Sequence, residues 1–327
     1  MSIKLIVLMA ALVFLVGLAY SLFRPLPNIP PPAAFTCLEI KDGVFIPTDS
    51  LPQPQNIYGM GLTYRQHLVE TAAEYDPGAL PPIFKKKQHT VTGNGSKVKF
   101  PAAEDLIAAA GELEAEVAEK LSADFKNLSP LLDYEVELGF VLLEAISEKD
   151  LLDESFVPQL GFFIANDLSA RSVGLLGEGT DIRYEYWGVS KSFPGFLPLS
   201  EKIWIPDSPT SNSIPCIRIE TYVNGKVRQS QTTDNMIFTP LEMLRFIHQK
   251  YSDTPLRKGD MVLTGTPGGV AISTPKALVR LSNLLGFGRY KKLSAKLGGD
   301  QSSFLKVGDV VEVRGEGFDG VSVEIVF

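Results

Sequence analysis

Two glutamates inside an apolar run constrain this chain more than any other feature. Glu135 and Glu137 lie within Leu131–Leu142, a run that otherwise has the composition of a buried β-strand. Because successive strand side chains alternate between faces, both carboxylates are predicted to share one face, opposite Tyr134 and Val136. Like charges on a half-buried face repel, and each is costly to desolvate without a cation. The pair is typical of a hard-metal site, although solvated salt bridges on an edge strand explain the spacing alone equally well.

A third carboxylate follows the next apolar run. The chain reads Leu160-Gly-Phe-Phe-Ile164 and then Ala165-Asn-Asp-Leu-Ser-Ala-Arg171, which predicts that Asp167 lies at the end of a second strand. Site residues often lie where strands end. Three carboxylates without a neighbouring Cys or His favour Mg²⁺, Mn²⁺ or Ca²⁺ over Zn²⁺.

Composition excludes some classes of function. With 327 residues, 45% of them hydrophobic, the chain is long enough for one large domain or two smaller ones. A net charge of -7 without a basic stripe argues against a nucleic-acid surface. The basic cluster Lys85–Lys87 is interpreted as a solvated loop in preference to an anion contact. Cys37 and Cys216 lie far apart in the sequence and indicate neither a disulfide framework nor a zinc site.

The N-terminal segment has the composition of a membrane span. Residues 5–23 are uncharged and mostly apolar, and at about 1.5 Å per residue they nearly cross a hydrocarbon core of about 30 Å. We expect residues 1–24 to be an uncleaved membrane anchor. The flanking charges are too few to predict on which side of the membrane the rest of the chain lies. The alternative is a cleaved signal, which leaves a secreted or periplasmic protein. Residues 25–34 are rich in proline and predict a stiff tether.

The body of the chain contains a helical stretch and a strand-rich part. Between residues 102 and 125, apolar residues recur near helical spacing, which predicts one amphipathic helix on the surface. From residue 134 to the end, short β-type runs alternate with Gly and Pro. Residues 216–223 and 226–228 are predicted to form a hairpin around Asn224-Gly225.

Eight motifs in one order carry a resemblance to a known family. They are Tyr58-Gly-Met-Gly-Leu-Thr-Tyr-Arg-Gln-His-Leu-Val-Glu70, Asp133-Tyr-Glu-Val-Glu137, Ala165-Asn-Asp-Leu-Ser-Ala-Arg171, Lys191-Ser-Phe193, Val223-Asn-Gly225, Asp234-Asn-Met-Ile-Phe238, Lys258-Gly-Asp-Met-Val-Leu-Thr-Gly-Thr-Pro267 and Val307-Gly-Asp-Val-Val-Glu312. Over roughly residues 57–325 the chain resembles the fumarylacetoacetate hydrolase family, and in particular its acylpyruvate hydrolase-like members.

The resemblance implies a fold and a metal. The fold is α+β and mainly β, a mixed β-roll with peripheral helices that forms one catalytic domain over residues 35–327, behind the predicted membrane-spanning helix. Glu135, Glu137 and Asp167 match the ligands of one Mg²⁺ or Mn²⁺ ion. The resemblance further implies a homodimer.

The resemblance also assigns roles to five other residues. His67 and Glu70 share a face of a short helix at positions i and i+3, so the carboxylate can orient the imidazole. In an arbitrary sequence such a pair is more often incidental, but it matches the family's catalytic dyad. Lys191 matches an active-site lysine that stabilises developing negative charge. Thr266 is expected to bind the substrate, and Arg171 to bind the substrate or support the metal ligands.

The implied activity is hydrolysis of a carbon–carbon bond in a β-diketo acid, either an acylpyruvate or a fumarylacetoacetate-like compound. The keto acid binds the metal, His67 and Glu70 activate water, and Lys191 stabilises the resulting enolate. The same enolate chemistry serves an isomerase, decarboxylase or hydratase of a 2-oxo acid in aromatic degradation. A catalytically silent, membrane-tethered binding protein is a further alternative.

Two segments exceed the usual connections of the family. They are helical insertions at about residues 103–126 and 276–303. The second has a basic amphipathic composition that suits an anionic membrane surface. A lid or a dimer-contact helix is an equally good interpretation of it.

Overall fold

The computed structural model describes residues 29–71, 75–272, 281–282 and 285–327. Its strands are Thr36–Leu38 (β1), Gly43–Pro47 (β2), Ile57–Met60 (β3), Ile83–Lys86 (β4), Val91–Thr92 (β5), Lys97–Lys99 (β6), Leu132–Asp133 (β7), Val136–Leu142 (β8), Leu160–Asn166 (β9), Ser169–Ala170 (β10), Leu197–Pro198 (β11), Lys202–Pro206 (β12), Ser213–Pro215 (β13), Arg218–Val223 (β14), Lys226–Thr232 (β15), Met261–Leu263 (β16), Val310–Gly315 (β17) and Val321–Val326 (β18). Its α-helices are Arg65–Thr71 (α1), Ala103–Gly111 (α2), Ala115–Asp124 (α3), Glu148–Leu152 (α4), Arg171–Gly174 (α5), Arg183–Ser190 (α6), Pro240–Lys250 (α7) and Arg289–Leu297 (α8).

Two sheets form the centre of the molecule. The larger has the strand order β2-β12-β9-β8-β16-β3-β4, and the smaller has the order β15-β14-β17-β18-β6. Most neighbours are antiparallel, but β16 is parallel to β3 and β18 is parallel to β6. The sheets contact each other where β14 and β17 pack on β8 and β9. The predicted mixed, mainly β fold with peripheral helices is therefore confirmed.

Strands β8 and β9 are buried along their whole length. Each has neighbours on both edges and is covered on both faces, which explains why both sequences are almost continuously apolar. A Cβ on Gly139 would lie 2.3 Å from the ring of Phe163, so the glycine leaves room for that side chain. The acidic pair at the start of β8 therefore lies in the interior of the fold.

The hairpin predicted around Asn224-Gly225 is confirmed. β14 and β15 pair antiparallel on either side of this turn. Asn224 has φ 51° and Gly225 has φ 73°, and a tight turn with two positive φ values matches the twist of the flanking strands.

The helix predicted over residues 102–125 is two helices, α2 and α3. A Cβ on Gly111, the last residue of α2, would lie 3.1 Å from the Cβ of Ala118. The glycine therefore lets the two helices pack closely. Leu106 from α2 and Leu121 from α3 are fully buried in one apolar cluster.

Helix α8 packs on the same apolar cluster as α2 and α3, and we call these three helices the helical cap. Its Leu293 is fully buried in the same cluster. Tyr290 stacks on Phe125 with the ring centroids 6.4 Å apart, and Arg289 pairs with Glu114 at 2.5 Å. The buried face of α8 is thus covered by the chain itself, and the suggestion that this insertion lies on a membrane surface stays a prediction. Residues 273–280 and 283–284 of the predicted insertion lie outside the described residues.

The predicted membrane anchoring needs correction. Within the described residues there is no helix of the length and apolar character needed to cross a membrane. The membrane localisation inferred from the sequence is contradicted by this finding. The apolar segment 5–23, which suggested it, lies outside the described residues.

A disulfide joins Cys37 to Cys216, which also corrects the sequence interpretation. Strand β1 pairs parallel with β13, and this register places Cys37 beside Ile214, two residues before Cys216. The two cysteines are 179 residues apart in the sequence. Only the tertiary pairing brings them together, so their spacing carried no signal.

We expect the Cys37→Ser, Cys216→Ser double variant to lower the free energy of unfolding by about 2–4 kcal/mol, because the bridge closes a long loop of the unfolded chain. Urea unfolding without reductant measures the loss. Unfolding of the unaltered chain with reductant should give the same loss. An unchanged midpoint in both experiments would contradict a stabilising bridge.

Candidate metal centre

The register of two central strands brings three carboxylates together. β8 and β9 pair with Val136 opposite Asn166, and the Asp167 amide donates to the Glu135 carbonyl at 2.8 Å. Asp167 therefore lies across from Glu135, and Glu137 lies two residues further along the same face. The exposed fractions are 5% for Glu135, 2% for Glu137 and 0% for Asp167. One oxygen from each of the three lies within 4.8 Å of the others.

Two cations predicted for the site lie against these carboxylates. The ammonium of Lys191 is 2.6 Å from Asp167 Oδ2 and also bonds Glu135 Oε2. Arg171 donates from Nη2 to Glu135 Oε1 and from Nε to Asp133 Oδ2 at 2.8 Å. Its guanidinium is therefore engaged with carboxylates of its own chain.

A third cation, Lys86, was missed from the sequence. Its fully buried ammonium bonds Asp167 Oδ1 and lies 3.1 Å from the Phe196 carbonyl oxygen. Lys86 is the last residue of β4, and strand alternation directs it inward. The interpretation of this cluster as a solvated loop is wrong for Lys86, whereas the half-exposed Lys87 forms a surface pair with Glu112. The apolar Ile83-Phe84 before it was the available signal.

Asp133 is a fourth buried carboxylate, to which the sequence interpretation gave no role. Besides Arg171 it accepts hydrogen bonds from the backbone amides of Tyr134 at 2.9 Å, Ala271 at 2.8 Å and Ile272 at 3.1 Å. It is fully buried. Asp133 therefore joins the cluster to the segment that follows Gly265-Thr-Pro267.

The surrounding charges shift the pKa values of Glu135 and Glu137 in opposite directions. Burial tends to raise the pKa of Glu135, but Arg171 and Lys191 outweigh it and lower that pKa to about 2. Burial, with the charges of Asp167 and Glu135, raises the pKa of Glu137 well above its usual range. The described hydrogen bond to Glu137 comes from the Gly265 amide at 2.8 Å. A divalent cation would supply the positive charge that ionised Glu137 lacks.

His67 lies in this buried region, and Glu70 lies at its edge. Burial lowers the pKa of His67 and outweighs the charge of Glu135, which acts to raise it. The lowered pKa favours the neutral imidazole. The exposed Glu70 accepts hydrogen bonds from Gln66 Nε2 and from the Gly269 amide, both at 2.9 Å. Both residues lie on α1 as expected, and their catalytic roles stay predictions.

The Thr266 hydroxyl is engaged in the fold. It donates to the Val136 carbonyl at 3.0 Å and accepts from Gln229 Nε2 at 2.9 Å. Gln229, a buried residue that the sequence interpretation missed, also accepts from the Val136 amide at 3.0 Å. These bonds hold the turn at Thr266 against the first residue of β8, and substrate binding by Thr266 stays a prediction.

Comparison with known proteins supports the resemblance seen in the sequence. Residues 56–326 match the family described as Fumarylacetoacetate (FAA) hydrolase C-terminal. Oxaloacetate tautomerase YisK of Bacillus subtilis is 29% identical over 234 residues, which span 70% of this chain and 64% of that protein, less than two thirds of it. Oxaloacetate tautomerase FAHD2A, mitochondrial, of Bos taurus is 33% identical over 143 residues, 43% of this chain and 41% of that protein.

A solved structure supports the fold. The fumarylpyruvate hydrolase of Pseudomonas aeruginosa, in complex with Mn²⁺ and pyruvate, superposes with a TM-score of 0.53. The match is 19% identical and covers 92% of this chain and 99% of that chain. At this identity the likeness concerns the fold alone.

We expect the affinity for Mn²⁺ to fall as the pH is lowered through the raised pKa of Glu137. The ion needs the ionised carboxylate, whereas burial and its acidic neighbours favour the protonated form, so protons compete with the metal. Calorimetry in two buffers of different ionisation enthalpy should show that protons are released when Mn²⁺ binds, and that this release grows as the pH is lowered.

The control for this prediction is Glu137→Gln, which should bind Mn²⁺ weakly and without that proton release. An affinity for Mn²⁺ that does not fall as the pH is lowered would contradict the assignment of Glu137 as a ligand.

Proposed function

Because the chain belongs to the fumarylacetoacetate hydrolase family, we propose that it is a divalent-cation-dependent enzyme that acts through the enolate of a 2-oxo acid. Members of this family include hydrolases and tautomerases. The observation that carries the proposal is the buried group Glu135, Glu137 and Asp167, with Lys191 between two of its members.

The donor set fits a hard cation. Three buried carboxylates with oxygens within 4.8 Å of one another suit Mg²⁺ or Mn²⁺, and Ca²⁺ less closely. We propose that Glu135, Glu137 and Asp167 hold this ion. When bound, it would supply Lewis-acid stabilisation of the negative charge that develops on the substrate oxygens.

Lys191 is the proposed second source of positive charge. Burial alone would lower the pKa of its ammonium, but Asp167 and Glu135 outweigh burial and raise it. Lys191 therefore stays charged across the physiological range. An ammonium held in a buried site stabilises an oxyanion without the reorganisation that water would need.

His67 is the proposed base. Its lowered pKa keeps the imidazole neutral and able to accept a proton near neutral pH. Glu70, three residues on along α1, is proposed to orient the ring. In hydrolysis His67 would take a proton from water, and in tautomerisation it would take one from the carbon next to the substrate carbonyl.

Two reactions share these parts. Hydrolysis of a β-diketo acid is the first candidate, because a neutral base with a carboxylate partner suits activation of water. Tautomerisation of a 2-oxo acid is the second candidate, and its support is that two relatives of the chain are named oxaloacetate tautomerases. Assembly as a homodimer stays a prediction.

Product analysis should separate the two candidates. The chain is assayed with acylpyruvates and with oxaloacetate, in the presence of Mg²⁺ or Mn²⁺, in water enriched in ¹⁸O. Hydrolysis places the label in a carboxylic acid product, whereas tautomerisation leaves the carbon skeleton intact. Either activity should disappear with a chelator and fall by about 10²-fold or more in Glu135→Gln, which loses a ligand. Full activity under chelation would contradict the cation-dependent class.

We expect His67→Ala to lower kcat by about 10²–10⁴-fold while the affinity for Mn²⁺ is retained, because the variant removes the base and leaves the three carboxylates. Titration with Mn²⁺ and steady-state kinetics measure the two quantities. The matched control is His248→Ala, on α7, which should change neither. Unchanged turnover in His67→Ala would remove His67 from the mechanism.

A further inference from the structure

One backbone segment contacts both halves of the proposed site. We call residues 264–272 the brace. The Gly265 amide donates to Glu137 Oε2 at 2.8 Å, and the Gly269 amide donates to Glu70 Oε2 at 2.9 Å. A proposed metal ligand and the proposed partner of the base are therefore hydrogen-bonded to the same short run of backbone.

The far end of the brace is fixed by Asp133. Its carboxylate accepts from the amides of Ala271 and Ile272, at 2.8 and 3.1 Å. The same carboxylate binds Arg171, which binds Glu135. Asp133 thus links the end of the brace to a second metal ligand, and because it is fully buried, no solvent competes for these bonds.

The first half of the brace is held against β8. The Thr264 hydroxyl donates to the Leu138 carbonyl at 2.7 Å, and the Thr266 hydroxyl donates to the Val136 carbonyl at 3.0 Å. Gln229 donates to the Thr266 hydroxyl from the other side at 2.9 Å. The brace is therefore hydrogen-bonded to the fold at both ends and near its middle.

The turn at Gly268-Gly269 is shaped to receive Glu70. A Cβ on Gly268 would lie 2.3 Å from the Glu70 carboxylate oxygens, and Gly269 has a φ of 94°. A side chain at either position would displace the carboxylate or strain the turn. The contact between the brace and Glu70 is therefore a close one that depends on these two glycines.

We propose that the brace couples cation binding at Glu137 to the position of the Glu70 carboxylate, with Asp133 as its anchor. The inference rests on the proposed function, in which the cation and Glu70 serve one reaction. Asp133 is a positioning residue, because it acts through the brace and through Arg171. A cation bound by Glu137 alters the hydrogen bond from Gly265, and the anchored brace transmits the change to Gly269.

Selective isotope labelling makes the two amides observable by NMR. In the full chain, carbonyl-¹³C threonine with ¹⁵N glycine selects Thr92-Gly93 and Thr264-Gly265. Labelling glycine with both isotopes selects Gly268-Gly269 and Gly298-Gly299. Gly93 and Gly299, which lie outside the brace, are internal controls. The ligand added is Mg²⁺ alone, and no substrate is needed.

In the unaltered chain, Mg²⁺ is expected to shift the resonances of both Gly265 and Gly269 and to leave those of Gly93 and Gly299 in place. Asp133→Asn keeps the shape of the side chain but replaces one of its accepting oxygens with an NH₂ donor. Hydrogen bonds accepted by that oxygen are then lost. In this variant Mg²⁺ should shift Gly265 and no longer shift Gly269, and its affinity should fall about fivefold. Asp309→Asn, which alters an exposed turn, is the matched control and should behave like the unaltered chain.

The outcomes separate the two proposals. Two outcomes overturn the coupling and leave the proposed cation site intact. In the first, Mg²⁺ shifts the Gly265 resonance but not that of Gly269. In the second, Mg²⁺ shifts the Gly269 resonance equally in the unaltered chain and in Asp133→Asn. An unmoved Gly265 in the unaltered chain overturns the cation assignment and the coupling with it.

Glu70→Ala provides a second test that does not depend on the folding of Asp133→Asn. Glu70 is exposed, so its truncation should preserve the fold. Coupling is reciprocal, and loss of the Gly269 contact should therefore shift the Gly265 resonance without Mg²⁺ and weaken Mg²⁺ binding about fivefold. A Gly265 resonance and a Mg²⁺ affinity that both stay unchanged would overturn the coupling.

Discussion

Buried carboxylates repel one another at the start of β8 and the end of β9, and the positions of the neighbouring cations offset part of that repulsion. The acids are Asp133, Glu135, Glu137 and Asp167, and the cations that contact them are Lys86, Arg171 and Lys191. Among the described ion pairs, Asp133, Glu135 and Asp167 each have at least one of these cations as a partner, and Glu137 has none. The pKa of Glu137 is raised because burial and its acidic neighbours oppose its charge. A fold that buries such a group without a paired cation needs either a proton or a metal ion there.

The same charges give the remaining site residues their properties. Lys191 stays protonated because two carboxylates outweigh its burial, whereas His67 becomes less basic because burial dominates. A charged ammonium and a neutral imidazole are thus combined in one buried region. The proposed enolate chemistry would use both groups, since one accepts a proton while the other stabilises the negative charge. Backbone amides of the brace donate to both Glu137 and Glu70, the first a proposed metal ligand and the second the proposed partner of the base.

Local patterns in the sequence were sufficient for features that depend on strand geometry. Alternation along one strand predicted that Glu135 and Glu137 share a face, and the end of the next apolar run predicted the position of Asp167. The hairpin at Asn224-Gly225 followed from turn chemistry. Features set by distant pairing were not predictable. The ion pair between Lys86 and Asp167 joins residues 81 apart in the sequence, so the partner of Lys86 could not be predicted from local patterns.

The disulfide and the helical cap illustrate the same limit. Cys37 meets Cys216 only because β1 pairs with β13. The buried face of α8 could not be predicted from the sequence, because the segments that contact it, among them Leu175–Gly177, lie more than 110 residues earlier in the chain. The central claim, that a cation joins Glu135, Glu137 and Asp167, is tested most directly by the anomalous scattering of a crystal of the protein soaked in Mn²⁺. The account predicts one strong peak about 2 Å from an oxygen of each carboxylate. The account would be contradicted if, at saturating Mn²⁺, no peak lay among the three carboxylates and Lys191 still bridged Glu135 and Asp167.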